Sequence, residues 1–370
     1  MTRRALLALT TAAPLSLATG CRQRRAFSGF AFVANFDGRS VAAVDLGVFA
    51  VAKQISLEGA PTELIADPAH SRILALTPGD GHIQEISTVD LTVRRRIPIA
   101  REAIGIRLSR DATLVYVLSG DPRKLVALDA ASLRREWEVS LAAVPSDFDV
   151  SADGKWVGIS YGARGFIERI DTGARRSAGA SDLNSEAGIL RFQSDSTQLI
   201  AANLGERMLN VYQSSSGRLV AKLPIAVRPD QFCFNADGGQ LFVTGEGGDA
   251  VVVVYPYFTP QVGETVLAGR APGAMAVTPE LLFVANSRSG DVSILNIESR
   301  KVIAVAAAGT NPAYIAITPD NQYALVLNQG SGDMGVIWIP SVIRSRARSA
   351  ALFTMIPVGS RPVSAAVVAV

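Results

Sequence analysis

The chain has 370 residues, of which 48% are hydrophobic and 19% charged, and this composition suffices for a large folded core. Two of its 36 basic residues lie within residues 1–20, which contain no acidic residue, so the rest carries 34 basic against 33 acidic residues. A balance this close to neutrality gives no support for nucleic-acid binding, and no nucleic-acid partner is expected.

The first twenty residues have the pattern of a bacterial export signal. Arg3 and Arg4 precede a short apolar stretch, residues 5–17, which is too short for a permanent membrane-spanning helix. Residues 2–7 also resemble a twin-arginine export motif, although basic starts of this kind are common in ordinary signals. Export is therefore predicted, and the export route stays open.

A lipid anchor is predicted at Cys21. The sequence Leu-Ala-Thr-Gly-Cys at residues 17–21 resembles a lipobox, in which the cysteine is acylated and becomes the new N-terminus. The chain has Ala18 where lipoboxes prefer leucine, and ordinary cleavage nearby is the alternative. The expected organisation is a lipoprotein-type signal peptide at residues 1–20, a tether at 21–29 and the folded domain at 30–370.

If Cys21 carries lipid, the second cysteine, Cys233, has no intramolecular partner, and no disulfide forms despite the oxidising compartment. Cys233 lies in the apolar segment 231–234 and is predicted to be a buried small hydrophobic residue. A reactive thiol is the alternative.

A unit of about 42 residues recurs from Phe30 to the last residue. Its clearest marker is one turn position, which is acidic in six of seven copies: Ala69, Asp111, Asp153, Asp195, Asp237, Glu280 and Asp320. A fixed period of about 40–45 residues is typical of four-stranded propeller blades. The repeat therefore predicts one ring-shaped domain where the length alone would suggest two.

The second strand of each unit is a continuous apolar run, as at residues 323–327 and 241–243. Such runs indicate strands covered on both faces, as in blades packed face to face. A parallel α/β protein has similar strands, but it needs a helix of about ten residues or more after each one. No such helix fits inside this repeat, so an all-β propeller of antiparallel blades is predicted.

Eight blades are predicted from two sets of markers. The third strands are expected to end at Asp45, Ser87, Asp129, Asp171, Gln213, Tyr255, Asn296 and Ile339, and the inner strands to begin near Pro61, Ala103, Pro145, Ala187, Pro229, Pro272, Pro312 and Pro362. The chain begins on a second strand and ends on an inner strand, so residues 363–370 are expected to pair beside 30–35 and close the ring. Seven blades are the alternative, if a terminal copy lies outside the ring.

Several segments resemble the YVTN repeat. They are Phe32-Val33-Ala34-Asn35, Phe283-Val284-Ala285-Asn286-Ser287, Asp291-Val292-Ser293-Ile294-Leu295-Asn296 and Ile356-Pro357-Val358-Gly359-Ser360-Arg361-Pro362. The resemblance implies a β-propeller related to the lactonase-like, haem d1-domain-like and quinoprotein amine dehydrogenase β-chain-like rings. Function varies widely among these proteins, so the resemblance bears on architecture more than on activity.

A ligand site is predicted at one mouth of the channel, where each outer strand connects to the next inner strand. These connections carry Glu58, Arg101, Arg228, Arg270, Asn311 and Arg361. Guanidinium groups suit bidentate binding of carboxylate or phosphate, so four converging arginines predict an anionic ligand or an acidic partner surface. The alternative is that x-Arg-Pro sequences simply make solvent-tolerant loops.

No catalytic cluster is predicted. The acidic turn residues lie in separate blades and are explained by turn chemistry. His70 and His82 are expected at opposite ends of one strand, which disfavours a shared metal. The chain has no C-x-x-C-H haem motif, nucleophile elbow or phosphate loop, and its glycine-rich segment, residues 245–249, is predicted to be a hairpin loop.

Enzymes of the resembling family would need other residues. A lactonase-like metal site would draw on Asn35, Asp37, Glu58 or Asp249, which share no obvious register. A haem d1-type axial ligand could come only from His70 or His82. A quinone site would need a stacking tryptophan, and the three tryptophans are scattered: Trp137, Trp156 and Trp338. No cofactor or metal is predicted.

The sequence thus predicts a monomeric, lipid-anchored propeller outside the cytoplasmic membrane, periplasmic or at the cell surface. Its expected role is non-catalytic binding of a partner protein, glycan or small anionic ligand at the channel mouth. The alternative is a lactonase-like hydrolase or a redox accessory to a quinone or haem partner.

Overall fold

The computed structural model describes residues 27–257, 259–344, 349–350 and 352–369. The signal sequence, the lipobox with Cys21 and most of the expected tether lie outside the described residues, and the predictions on them stay predictions. Phe27, near the end of the expected tether, is packed into the core.

Eight antiparallel sheets form a closed ring, which confirms the eight-bladed prediction and excludes seven blades. The inner strands of successive sheets contact one another around a central channel, and the last of them contacts the first. No helix among the described residues is long and apolar enough to span a membrane.

The blades follow the chain in order, with the last strand of the chain serving as the inner strand of blade 1. Blade 1 contains β1 (Gly29–Asn35), β2 (Ser40–Asp45), β3 (Ala50–Ser56) and β33 (Pro362–Ala369). Blade 2 contains β4 (Glu63–Asp67), β5 (Arg72–Thr77), β6 (His82–Ser87) and β7 (Val93–Pro98). Blade 3 contains β8 (Glu102–Leu108), β9 (Leu114–Asp121), β10 (Arg123–Asp129) and β11 (Arg135–Ser140). Blade 4 contains β12 (Asp147–Val150), β13 (Trp156–Ser160), β14 (Phe166–Asp171) and β15 (Arg176–Asp182).

Blades 5, 6 and 7 repeat the same order. Blade 5 contains β16 (Ala187–Phe192), β17 (Gln198–Asn203), β18 (Met208–Gln213) and β19 (Leu219–Pro224). Blade 6 contains β20 (Arg228–Phe234), β21 (Leu241–Glu246), β22 (Ala250–Tyr255) and β23 (Gln261–Leu267). Blade 7 contains β24 (Pro272–Val277), β25 (Leu281–Asn286), β26 (Asp291–Asn296) and β27 (Lys301–Ala307). Blade 8 contains β28 (Pro312–Ile317), β29 (Tyr323–Asn328), β30 (Asp333–Trp338) and β32 (Leu352–Pro357).

The ring closes through β1 and β33, as predicted. The two strands pair from Gly29 opposite Ala369 to Ala34 opposite Ser364. This pairing uses the inner edge of β1 and buries the apolar C-terminal segment, so neither strand presents that edge to a second molecule.

One connection departs from the repeat. The third strand of blade 8 ends at Trp338, one residue earlier than predicted, and the chain then forms a short helix, α1 (Ile339–Arg344). Ile339 and Val342 pack into the apolar cluster between blades 7 and 8, which explains why the chain turns inward here. The strand β31 (Ser349–Ala350) then pairs in parallel with β27 and adds a fifth strand to blade 7.

The core lies between the blades. In one example, Phe283 and Ile294 of blade 7 pack against Ile315 and Val326 of blade 8 in a single buried cluster. Each fully buried side chain of this kind contributes about 1.5–3 kcal/mol relative to exposure. The continuous apolar strands are thus covered on both faces, as their composition predicts.

The two ends of the channel differ in their loops. We call "the mouth" the end that carries the connections from each outer strand to the next inner strand, together with the hairpins between second and third strands. The opposite rim carries the turns after the inner strands. There the carboxylate of Asp153 accepts hydrogen bonds from Ser151 Oγ (2.7 Å) and from the Lys155 amide (3.2 Å), and Asp111 bonds its own turn in the same way. These acidic residues sit in separate blades and hold turns.

Candidate functional site

The loops of the mouth carry all five predicted ligand residues, in separate sectors of the ring. They are Arg101 before β8, Arg228 at the start of β20, Arg270 before β24, Asn311 before β28 and Arg361 before β33.

Three of the four predicted arginines are paired with acidic neighbours. Arg101 lies 3.5 Å from Asp121, and Arg228 Nη2 lies 3.1 Å from the carboxylate of Glu186. Arg361 has a similar arrangement, described below. Because these charges are partly balanced within the mouth, they attract an external anion less than free guanidinium groups would.

Arg270 differs from the other three. It is exposed and has no acidic partner among the described residues. The loop beside it carries Arg288, also exposed and without such a partner, and the Arg288 amide donates to the Arg270 carbonyl over 3.2 Å. Sequence reasoning missed Arg288, although its place in the hairpin after a second strand was a usable signal.

Asn311 and Arg361 come together at one cleft of about 380 Å³ between blades 8 and 1. Arg361 lies 3.6 Å from Asp37 and 4.7 Å from the centre of the Phe36 ring. The remaining walls are polar or glycine, with Gln329 among them. The cleft therefore offers donors, acceptors and one balanced charge pair to a ligand.

The loops of blades 7, 8 and 1 have one shared geometry at the mouth. The residue before the inner-strand proline adopts a left-handed conformation in each: Ala271 (φ +54°), Asn311 (φ +55°) and Arg361 (φ +54°). Its carbonyl accepts a hydrogen bond from the residue that follows the second strand, as in the 3.0 Å bond from the Gln329 amide to Asn311. Asparagine tolerates this conformation better than most residues, which suits it to this position.

The asparagine that ends the second strand packs against a glycine of the preceding outer connection. A Cβ on Gly269 would lie 2.5 Å from Asn286 Nδ2, and one on Gly309 would lie 2.6 Å from Asn328 Nδ2. Both asparagines are fully buried. This contact accounts for the asparagine and the glycine at these two places in blades 7 and 8.

A chain of charged side chains follows one half of the ring, on the inner strands of blades 2 to 5. The carboxylate of Glu63 accepts from Arg107 and, over 3.0 Å, from the Ile106 amide. In the next pair of blades, Asp147 Oδ2 accepts from Arg191 Nη1 (2.6 Å). Asp147 also links the two arginines, since Arg107 Nη2 lies 3.8 Å from its other oxygen.

The carboxylates bond the free edge of the next inner strand. Asp147 Oδ2 accepts from the Leu190 amide (3.0 Å), and Asp149 Oδ2 accepts from the Phe192 amide (2.8 Å). An unpaired backbone donor would otherwise face the channel at these points. The charged wall thus joins neighbouring blades. Charged residues at alternate positions of an inner strand, as at Asp147 and Asp149, are the sequence signal that would have identified it, because alternate side chains share one face of a strand.

The electrostatics of this wall are uneven. Burial raises the pKa of Asp149 above its usual value, although Arg191 and Arg107 oppose the shift. Burial also disfavours the charged form of Arg191, but the carboxylates of Asp147 and Asp149 raise its pKa. The wall therefore holds a firmly cationic arginine, Arg191, and one carboxylate, Asp149, whose charged form burial disfavours.

The other predicted candidates are dispersed. His70 precedes β5 and bonds Asp67 over 2.9 Å, while His82 begins β6, so the two histidines lie at opposite ends of one strand as predicted. The candidate oxygen ligands are engaged separately, for example Glu58 with Arg96 over 2.5 Å. Among the described residues no group of three His, Cys, Asp or Glu side chains is placed to hold a metal ion.

The thiol of Cys233 faces neighbouring apolar side chains between blades 6 and 7. Burial raises its pKa to about 12. The side chain is unpaired with any other cysteine among the described residues. Cys233 packs as a small apolar residue, as predicted, but it is partly rather than fully buried.

The segment from Gly245 to Asp249 forms the hairpin between β21 and β22, as predicted. It lines a cleft of about 520 Å³ with Asp230 and Arg288. The Asp249 carboxylate accepts from the Ala271 amide (2.9 Å), so the hairpin is tied to the next blade.

Comparisons with known proteins agree on the fold. No protein-family model matches the chain, and no curated protein sequence matches it. Among solved structures, hydrazine synthase from Kuenenia stuttgartiensis is similar, with a TM-score of 0.60 and 16% identity over 75% of this chain and 95% of that chain. The dihydro-heme d1 dehydrogenase NirN in complex with DHE is similar at a TM-score of 0.75 and 12% identity, covering 91% of this chain and 74% of that chain.

A functionally unknown protein from Desulfotomaculum acetoxidans is also similar, with a TM-score of 0.61 and 12% identity over 82% of this chain and 98% of that chain. At identities this low, the likeness concerns the fold alone. The class of protein is thus an eight-bladed β-propeller with a charged half-channel and a polar mouth.

Proposed function

We propose that this chain is a non-catalytic binding propeller of the bacterial cell envelope, held by an N-terminal lipid and binding its ligand at the mouth. The ligand classes that suit the mouth are a small anion, a glycan or an acidic partner surface. The observation that carries the proposal is the pair Arg270 and Arg288, whose exposed guanidinium groups lie on adjoining loops without an acidic partner among the described residues.

The polar cleft of the next sectors adds groups suited to the same ligands. Asn311, Gln329 and Arg361 present amide and guanidinium groups around it. Arginine recognises carboxylate and phosphate in bidentate fashion. Such a surface is suited to selecting and holding a polar ligand.

The orientation of the ring favours a tethered binding role. The described chain enters at Phe27, and β1 runs from there towards the mouth. An N-terminal lipid would therefore hold the opposite rim towards the membrane. The mouth would then face away from the membrane, where ligands and partners are accessible.

Charge reversal tests the proposal. Citrate and inorganic phosphate serve as probes in isothermal titration calorimetry against the wild type and the double variant Arg270→Glu/Arg288→Glu. At least tenfold weaker binding is expected in the double variant, and Arg110→Glu on the opposite rim is the matched control. Equal binding by all three proteins, or none by the wild type, would contradict an anion site at this sector.

A redox accessory role is the second candidate, and the fold shared with NirN and hydrazine synthase is consistent with it. No inner strand of this chain carries a histidine, so an axial ligand from the channel wall is not provided and a haem partner would have to supply its own. Visible absorbance and metal analysis of protein purified from its native membrane decide between the two. A stoichiometric chromophore or metal would favour the redox role over the binding role.

A further inference from the structure

A third cleft at the mouth has a composition unlike the two described above. It lies between blades 3 and 4, measures about 940 Å³ and falls within the size range of small-molecule sites. Its walls come from the connection between β11 and β12, the hairpin between β13 and β14, and the start of β10. The lining residues are Arg123, Ala142, Ala143, Val144, Pro145, Ser146, Tyr161, Gly162, Ala163, Arg164 and Phe166.

One wall of this cleft is apolar and faces solvent. Val144 is 59% exposed, in a run of small apolar residues that continues to Pro145. The rings of Tyr161 and Phe166, which also line the cleft, are stacked, with centroids 4.3 Å apart and an interplanar angle of 18°. Small-molecule sites combine apolar and aromatic lining of this kind with a few polar groups.

The charge of the cleft is unbalanced. Two arginines line it, and no aspartate or glutamate does. Arg164 is exposed and has no acidic partner among the described residues, while Arg123 Nη1 donates to the Ala142 carbonyl over 3.3 Å. The nearby carboxylate of Glu168 is buried and accepts from the Tyr161 hydroxyl, so it is turned to the interior of the blade.

The hairpin that carries Arg164 is well defined. The Arg164 amide donates to the Tyr161 carbonyl (2.9 Å), and the Gly165 amide donates to the Gly162 carbonyl (2.9 Å). Gly165 has a φ of +73°, where a Cβ would lie 2.7 Å from the Ser185 carbonyl oxygen. The loop is therefore pre-organised, which lowers the entropic cost of binding at Arg164.

We propose that this cleft binds a small amphipathic anion, a carboxylate or phosphate group joined to an apolar chain or ring. The two guanidinium groups take the anionic head, and the wall at Val144 takes the apolar body. The inference rests on the proposed function in placing a ligand at the mouth, and it adds the location and the chemical class.

Matched probes separate the two halves of the ligand. Octanoate and octyl phosphate supply the head and the chain, and octanamide supplies the chain with a neutral head. Titration calorimetry is expected to show octanoate or octyl phosphate binding at least tenfold more tightly than octanamide. The stronger of the two anions identifies the head group.

Three variants locate the binding. Arg123→Gln/Arg164→Gln is expected to weaken the anionic probe at least tenfold and to leave octanamide within about twofold, since the exposed arginines contribute mainly charge. Val144→Asp is expected to weaken every probe, and Arg110→Gln on the opposite rim is expected to weaken none. Melting temperatures of all variants verify that the ring is intact.

Each other outcome overturns the inference. It falls if the wild type binds no amphipathic anion, if octanamide binds as tightly as octanoate, or if the double variant binds like the wild type. Octanoate binding could instead be lost in Arg270→Glu/Arg288→Glu and kept in Arg123→Gln/Arg164→Gln. The ligand would then bind at the sector of Arg270, which contradicts this inference and agrees with the proposed function. If the wild type bound octanoate at this cleft but bound neither citrate nor phosphate, the anion site at Arg270 and Arg288 would be contradicted and this inference would stand.

Discussion

Asn35 and Val358 are 323 positions apart in the sequence, yet Asn35 Nδ2 donates a hydrogen bond to the Val358 carbonyl over 2.7 Å. Gln54 Nε2 donates to the same carbonyl over 2.6 Å. Blade 1 is thereby fixed to the outer connection of blade 8 by side chains as well as by its β1–β33 ladder. Ring closure is the relationship on which the mouth and its clefts depend.

Removal of the closing strand is expected to abolish the ring. Deletion of residues 362–370 exposes the inner edge of β1 and the apolar faces that β33 covers, and an exposed edge of this kind favours aggregation. Size-exclusion chromatography should show aggregates, or thermal melting should show a melting temperature lowered by more than about ten degrees. A decrease of that size corresponds to a loss of several kcal/mol of unfolding free energy. A monomer that melts like the full chain would contradict closure by this strand.

Arg72 is expected to matter far more than Arg95, although both contact Glu85. Arg72 is 1% exposed and lies 2.8 Å from buried Asp67, so Arg72→Ala strands a buried carboxylate and should cost about 3–5 kcal/mol. Arg95 is half exposed, and Arg95→Ala should cost about 0–1 kcal/mol.

Urea unfolding of the two single variants measures both values. Arg72 also donates to the Ala130 carbonyl of blade 3, so its loss should loosen the contact between blades 2 and 3. Equal destabilisation by the two substitutions would show that burial of this ion pair has no special role.

Asp149 is expected to make the fold less stable as the pH rises. Because burial raises its pKa in the folded state, the folded protein binds this proton more tightly than the unfolded chain. Stability from this group is therefore greatest near and below the unfolded pKa of about 3.9 and falls as the pH passes through the folded value.

Asp149→Asn keeps an acceptor for the Phe192 amide and removes the titration. The difference in unfolding free energy between variant and wild type should therefore shift in favour of the variant as the pH rises from about 4 to about 8. In Asp153→Asn, on an exposed turn, any trend should have the opposite sign, because burial is outweighed there by hydrogen bonds from Ser151 and the Lys155 amide, which lower the pKa of Asp153. A constant difference across this range would mean that Asp149 titrates normally.

Cys233 is expected to be chemically inert in the native protein. With a pKa of about 12, almost none of it is thiolate at pH 8, and the thiolate is the reactive form. In a Cys21→Ser variant, reaction with a disulfide reagent should be at least ~100-fold slower in native buffer than in denaturant. Comparable rates in both conditions would point to an accessible, activated thiol.

Gly269 is expected to be intolerant of a side chain. An added Cβ would lie 2.5 Å from Asn286 Nδ2, and that amide is held by Asp291 (2.7 Å) and Ser293 (2.9 Å). Gly269→Ala should therefore cost about 1–3 kcal/mol. Gly79→Ala is the control, because a Cβ there meets nothing within 4 Å. Similar melting temperatures for the two variants would remove the steric explanation of the asparagine–glycine contact.

The period and the apolar strands sufficed to predict the ring, because each blade must bury both faces and repeats one local pattern. The third strands end within one residue of the predicted positions, from Asp45 to Trp338. The excursion through α1 was not predictable in this way, since it follows from packing of Ile339 and Val342 between two blades. No local periodicity reports such a contact.

The site was less predictable than the fold. The position of Arg270, Asn311 and Arg361 at one mouth follows from the topology, but the acidic partner of Arg361 is Asp37, in a hairpin at the other end of the sequence. The charged wall joins Glu63 to Arg107 across 44 positions. Pairings between repeats of this kind require the three-dimensional register of neighbouring blades.

The meeting of Gly29 and Ala369 across one ladder has a practical consequence for protein engineering. A circular permutant that links these two points by a short flexible peptide and opens at another hairpin should encode the same propeller. The N- and C-termini can thus be moved to any blade, and a fluorescent or affinity module can be fused at the new termini.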